Sequence, residues 1–213
     1  AQDAALRLLA AAGFEVALLG DLCCGALAAH TGDARRAQVL ALRVREAFGR
    51  ERAQLLLGAT PGCLGTLRAA LPGTRVEDVS AFLDAHADAL RFRRLPMQVA
   101  LHLPCTQVNV ARAGDAVQRM LARVPGLRVT TLPTQAQCCG AAGSHILEFP
   151  QRAAAYREKV LASLPQPAPD LLLTSNIGCR LHLAAGLHQR GTKLRIEHPL
   201  VLLARQLQDD AHG

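Results

Sequence analysis

The chain has 213 residues and a formal charge of +7; half of it is hydrophobic, 19% is charged and only 3% is aromatic. This composition excludes a disordered chain, and the length suits one large domain or two small ones. No apolar run reaches the roughly 18 residues of a membrane-spanning helix, and so few aromatics leave nothing to stack on bases, which argues against nucleic-acid binding despite the charge.

The sequence opens in what reads as mid-helix. A strand is predicted over 14–19, followed by Cys23-Cys24-Gly25-Ala26. Helical periodicity covers 33–48, a strand 53–58, and a helix 62–71 with Cys63 at its start. Val99 to Leu103 forms a short apolar strand ending at Pro104-Cys105. A helix over 106–122 stops before Pro125-Gly126, and a strand over 127–132 runs into Cys138-Cys139-Gly140-Ala141. Pro150 suits the first turn of a helix reaching about 164, and Pro165, Pro167 and Pro169 make a stiff loop. A strand over 171–174 and the turn Ser175-Asn176-Ile177-Gly178 then deliver Cys179 to the start of a helix. Strands alternating with helices imply parallel sheets covered by helices, an α/β fold.

The chain repeats itself. The pair Cys23-Cys24 returns as Cys138-Cys139 after 115 residues, and His30 returns as His145 at the same shift. Leu55-Leu56-Leu57 with Gly62-Cys63 returns as Leu171-Leu172-Leu173 with Gly178-Cys179 after 116 residues. Two tandem Rossmann-like units are expected, with domains at 1–94 and 95–213. Applying the same shift to Cys105 places its first-repeat counterpart upstream of Ala1, so the first repeat is expected to be truncated at its N-terminus. In each unit the cysteines fall just past strand ends, the edge where open α/β sheets bind ligands.

The second repeat reads C-x32-CC-x39-C-x-x-H, from Cys105 through Cys138, Cys139 and Cys179 to His182. Cys179 and His182 are one helical turn apart. Thiolates suit zinc and iron–sulfur clusters, and a vicinal pair could also carry thiol–disulfide chemistry. No secretory leader pattern is visible, so the seven cysteines read as thiols or ligands, not as a disulfide framework. The candidate ligands are Cys105, Cys138, Cys139 and Cys179, with Cys23, Cys24 and Cys63 as an incomplete second set. His30, His102, His145 and His182 are candidates for cofactor contacts beside them.

These residues resemble the cysteine-rich CCG domain found twice in heterodisulfide reductases and their relatives. More narrowly, Cys23-Cys24-Gly25-Ala26-Leu27, the stretch Leu101 to Thr106, Cys138-Cys139-Gly140 and the run Asn176 to Leu183 are similar to the iron–sulfur subunits of glycolate oxidase. The resemblance implies an electron-transfer subunit of a glycolate oxidase or dehydrogenase complex, with no complete active site on this chain. It would take electrons from a flavin subunit, where the FAD resides, and relay them towards a quinone-type acceptor. It also implies a [4Fe–4S] type of cluster here and a ferredoxin-type N-terminal domain in the full-length protein. The expected location is cytoplasmic, with peripheral contact at the inner face of the cytoplasmic membrane left open. Each repeat departs from the pattern at its last position: the motif of heterodisulfide reductase ends C-x-x-C, whereas these repeats end at Thr66 and His182. Zinc, or a metal-free module that docks the flavin subunit, is the alternative. Lactate-utilisation and glycerol-3-phosphate dehydrogenase subunits are the near neighbours.

Overall fold

The computed structural model describes residues 1–133 and 138–208. Its first half runs α1 (Gln2–Ala11), α2 (Ala26–His30), α3 (Ala34–Arg50), β1 (Leu55–Gly58), a 3-10 turn at Pro61–Cys63, α4 (Leu64–Ala70), β2 (Arg75–Asp78) and α5 (Val79–Ala85). Its second half begins with β3 (Gln98–His102), a π-helical turn at Gln107–Ala111, α6 (Gly114–Ala122), β4 (Arg128–Thr131), α7 (His145–Glu148) and α8 (Pro150–Ala162). It ends with β5 (Leu171–Thr174), α9 (Ile177–Gln189), β6 (Arg195–Glu197) and α10 (Pro199–Gln206).

The sheets are parallel, as alternation requires. β1 pairs with β2, and the second sheet has the order β4-β3-β5-β6. Period-2 alternation distributes its side chains. Val99, Leu101, Leu171 and Leu173 face one core with Met120 and Leu121 of α6 and Leu200 and Leu203 of α10. Ala100 and Leu172 face the other, against Val160 of α8, Leu183 of α9, Cys139 and Cys179. A third cluster joins Val44 of α3, Leu64 of α4 and Val76 of β2. The first core also takes Leu8 and Leu9 of α1 and Phe82 and Leu83 of α5, so residues on both sides of position 94 share it. No helix among the described residues is long and apolar enough to cross a membrane.

Three sequence expectations need correction. Residues 14–19 are not a strand. In the second repeat the matching strand, β4, pairs with β3, whereas among the described residues no strand pairs with 14–19. The helix expected over 106–122 breaks into the π-helical turn and α6, because Arg112 adopts φ +54°. The helix at 62–71 begins as the 3-10 turn and becomes α-helical only from Leu64. Among the elements missed, β2 and β6 carry Arg and Glu beside a single apolar residue each and offer no apolar run to read.

Candidate functional site at the thiol edge

In the second repeat three strand ends deliver the thiols. The turn Leu103-Pro104 carries Cys105 from β3, and the Cys138-Cys139 pair follows β4. Asn176 places Cys179: its Oδ1 accepts hydrogen bonds from the N–H groups of Gly178 and Cys179 at 2.9 and 3.4 Å, capping α9. The Asn176 amide also donates to Thr106 Oγ1 at 3.2 Å, tying the Cys179 turn to the Cys105 turn. Cys139 and Cys179 are buried, Cys105 is half-buried and Cys138 is exposed. Gly140 follows the pair at φ +83°, and a β-carbon there would stand 2.5 Å from the Ala153 carbonyl oxygen of α8. Only glycine allows both the turn and the contact.

The Cys139 and Cys179 thiols are hydrogen-bonded to each other, and this bond holds Cys139 below the ordinary thiol range, helped by backbone N–H groups at Ala141 and Cys139 against the cost of burial. The same bond, with burial, pushes Cys179 well above it. The pair therefore favours a thiolate on Cys139 over one on Cys179. Burial raises Cys105, the charges of Cys138 and Cys139 raise it further, and the charges of Cys105, Cys138 and Cys139 also raise Cys179.

The first repeat reproduces the pattern. Cys24 is hydrogen-bonded to Cys63 and is pulled down to about 5, with the Ala26 N–H and the Thr66 side chain also contributing against burial. Cys63 is pushed up by the same bond and by burial. Gly25 takes φ +79°, and its N–H lies 3.5 Å from Cys23 Sγ. Thr66 is a site residue that motif reading left without a role. It occupies the position three after Cys63 that His182 occupies after Cys179, and that equivalence was the available signal.

The histidines are placed differently from one another. His145 Nδ1–H donates to the Gly140 carbonyl at 3.0 Å and so braces the turn after the pair, while His30 ends α2 in an exposed position. His102 is buried at the end of β3, its Nδ1 3.0 Å from Thr174 Oγ1 on β5. His182 Nε2–H donates to the Ala153 carbonyl at 3.1 Å, directing that nitrogen to α8. His198, outside the cysteine motif, is buried. Its Nε2–H donates to the Ala59 carbonyl past β1 and its Nδ1 accepts from the Leu200 N–H of α10. Among the described residues, no group of three or more His, Cys, Asp or Glu side chains is gathered closely enough to hold a single metal ion.

Parallel sheets whose carboxyl edges carry a vicinal cysteine pair, a turn-forming glycine and a third cysteine at a helix start define the class: an α/β protein with a duplicated thiol site. The family described as "Cysteine-rich domain" (CCG) matches residues 1–68 and 99–184, and the chain belongs to it. It is 29% identical over 213 residues to a subunit of the fumarate reductase (CoM/CoB) of Methanothermobacter marburgensis, covering 97% of this chain and 43% of that protein. It is 34% identical over 88 residues to the glycolate oxidase iron-sulfur subunit of Escherichia coli, covering 41% of this chain and 21% of that protein. It is 27% identical over 223 residues to a subunit of the anaerobic glycerol-3-phosphate dehydrogenase of Escherichia coli, covering 95% of this chain and 54% of that protein. The chain thus spans about half or less of the length of these relatives.

Proposed function

We propose that the chain is the iron–sulfur redox subunit of a glycolate oxidase complex, accepting electrons from a flavin-containing subunit and passing them towards a quinone-type acceptor. The observation that supports this most is the convergence of Cys105, Cys138, Cys139 and Cys179 from three strand ends, with an anion already favoured on Cys139. The donor set fits an iron–sulfur cluster in chemistry, since soft thiolates are its ligands. Cys105, Cys138, Cys139 and Cys179 would hold it, and Cys23, Cys24 and Cys63 form the corresponding set of the first repeat. A cluster held there would take up and release electrons one at a time.

The surrounding residues have separate tasks. Gly140 and His145 fix the turn that aims Cys139 inward. Asn176 holds the Cys105 and Cys179 turns together. Exposed Leu147 of α7, Phe149 between α7 and α8, and Ile177 and Leu181 of α9 offer an apolar landing surface for the flavin subunit.

Anaerobically purified protein is expected to contain iron and acid-labile sulfide and to show visible absorbance that bleaches on reduction. Cys139→Ser should lose most of the iron while keeping its far-ultraviolet circular dichroism. Stoichiometric zinc with no visible absorbance would overturn the proposal in favour of an assembly module. Reduction of the intact complex by glycolate, lactate and glycerol 3-phosphate in parallel assigns the donor, and only glycolate should serve.

A further inference from the structure

The carboxyl edges of the two sheets meet through buried polar side chains. Asp78 ends β2, where it pairs with Gly58 of β1, and it is only 3% exposed. Its Oδ1 accepts from the Ser80 N–H at 2.8 Å, capping α5. Gln107, in the π-helical turn two residues after Cys105, is fully buried. Its Oε1 accepts from the hydroxyl of Ser175 at 2.7 Å, four residues before Cys179. Its amide nitrogen stands beside the Asp78 carboxyl and has no closed hydrogen bond with any group among the described residues. At the same seam a β-carbon at Gly62, next to Cys63, would stand 3.0 Å from Asn176 Nδ2.

The chemistry of these groups fixes the direction of the chain. A carboxylate only accepts hydrogen bonds, so it turns the NH2 side of the Gln107 amide towards itself. The amide oxygen is left for Ser175, whose hydroxyl must then donate. The reverse orientation would set the amide oxygen against the carboxylate. Burial pushes the Asp78 carboxyl up, and the Ser80 N–H and Gln107 offset only part of that cost. An apolar side chain at this position would avoid the cost but could neither cap α5 nor orient Gln107.

We propose that Asp78, a residue of the first repeat, is a positioning residue for the thiols of the second: through the Gln107 amide and the Ser175 hydroxyl it holds the Cys105 and Cys179 turns at a fixed separation. Gln107 follows the cysteine delivered by β3, and Ser175 precedes the cysteine that follows β5. The bond between them therefore sets the spacing of two thiols that arrive on different strands. The Asn176–Thr106 bond ties the same turns together within the second repeat alone. Asp78 differs in coming from β2, so the packing of β2 and α5 bears on a site to which neither contributes a cysteine. The bridge is argued from geometry; its bearing on electron transfer rests on the proposed function.

Iodoacetamide labelling of the folded, iron-free chain, read cysteine by cysteine by mass spectrometry, tests the bridge. Asp78→Asn keeps an oxygen for the Ser80 N–H but turns an NH2 group towards that of Gln107. Cys105 and Cys179 should then label about 10-fold faster, the effect of one lost hydrogen bond on local opening, while half-buried Cys24 keeps its rate. Gln107→Glu sets two carboxyl groups face to face and should do the same. In the double variant the amide and the carboxyl have exchanged places, each donor again meets an acceptor, and the wild-type rates should return. Additive effects of the two changes would overturn the proposal, and so would equal acceleration at Cys24, which marks a general loss of stability. Ser175→Ala cuts the other end of the bridge and leaves the α5 cap untouched. It too should accelerate Cys105 and Cys179, and wild-type rates there would overturn the proposal even where the Asp78 variant fails to fold. No iron enters these measurements, so they fail or succeed separately from the cluster assignment.

Discussion

At position 140 the missing β-carbon decides where Cys139 points. The backbone there is left-handed, and the Ala153 carbonyl oxygen would lie 2.5 Å from any added carbon. Gly140→Ala combines the strain of a left-handed alanine with an overpacked contact, together about 3 kcal/mol. Gly25 has the same φ region but a looser neighbour, Leu40 Cβ at 3.3 Å, so Gly25→Ala should cost about half as much. Urea midpoints of the two variants check the order. Both glycines could be read in the sequence because they recur beside the cysteine pairs. The reason Gly140 is the stricter of the two could not, because it depends on α8 crossing behind it. The histidines teach a related lesson. Equal spacing grouped His30 with His145, yet only His145 has a carbonyl to brace, the one at Gly140.

At the scale of elements, α10 is held to the end of β1 through one imidazole. His198 must be neutral there, because Nδ1 accepts from the Leu200 N–H while Nε2–H donates to Ala59. Burial lowers its pKa from the ordinary 6.5 to about 4. A histidine depressed in this way contributes fully above pH 6.5, and its contribution falls as the pH drops towards 4. The loss over that window is about 3 kcal/mol. His198→Asn can still cap the helix but does not titrate, so the difference between wild-type and variant stability should carry this pH slope. Asn176 is the equivalent device on α9. Asn176→Ala should cost about 1 kcal/mol or more as a lost cap, and it also frees the Cys105 turn from the Cys179 turn. Long apolar strands such as β3 and β5 were legible because both of their faces are buried. The strand at 14–19 was read from the same kind of apolar run and failed, since a strand exists only with a partner. β2 and β6 were missed because they border the sheets and carry charges at their exposed positions. The kink at Arg112 left no mark in the periodicity of 106–122.

On the scale of the whole molecule, the sequence repeat does not mark two independent cores. α1 and α5 from the first half pack with α6 and α10 from the second. Unfolding is therefore expected to be a single cooperative transition, with circular dichroism and thiol accessibility changing together; Leu8→Ala, at a fully buried site, should lower its stability by about 2–5 kcal/mol. The duplicated thiol edge was legible from cysteine spacing, because chain order and strand ends fix where each cysteine emerges. The shared core was not, because it arises from helices that the repeat makes equivalent in sequence but that meet across the molecule. β1 pairs on one side only, and its open side has a consequence for behaviour in solution. Its unpaired N–H and C=O groups can template a foreign strand, and half-buried leucines beside them make the contact sticky. A net charge of +7 keeps copies of the chain apart at low ionic strength. Added salt shortens the reach of that repulsion to about 8 Å at 0.15 M and leaves the sheet edge unaffected. Light scattering from the 213-residue chain should accordingly rise with salt, and its colloidal stability should depend more on the ionic strength of the buffer than on temperature.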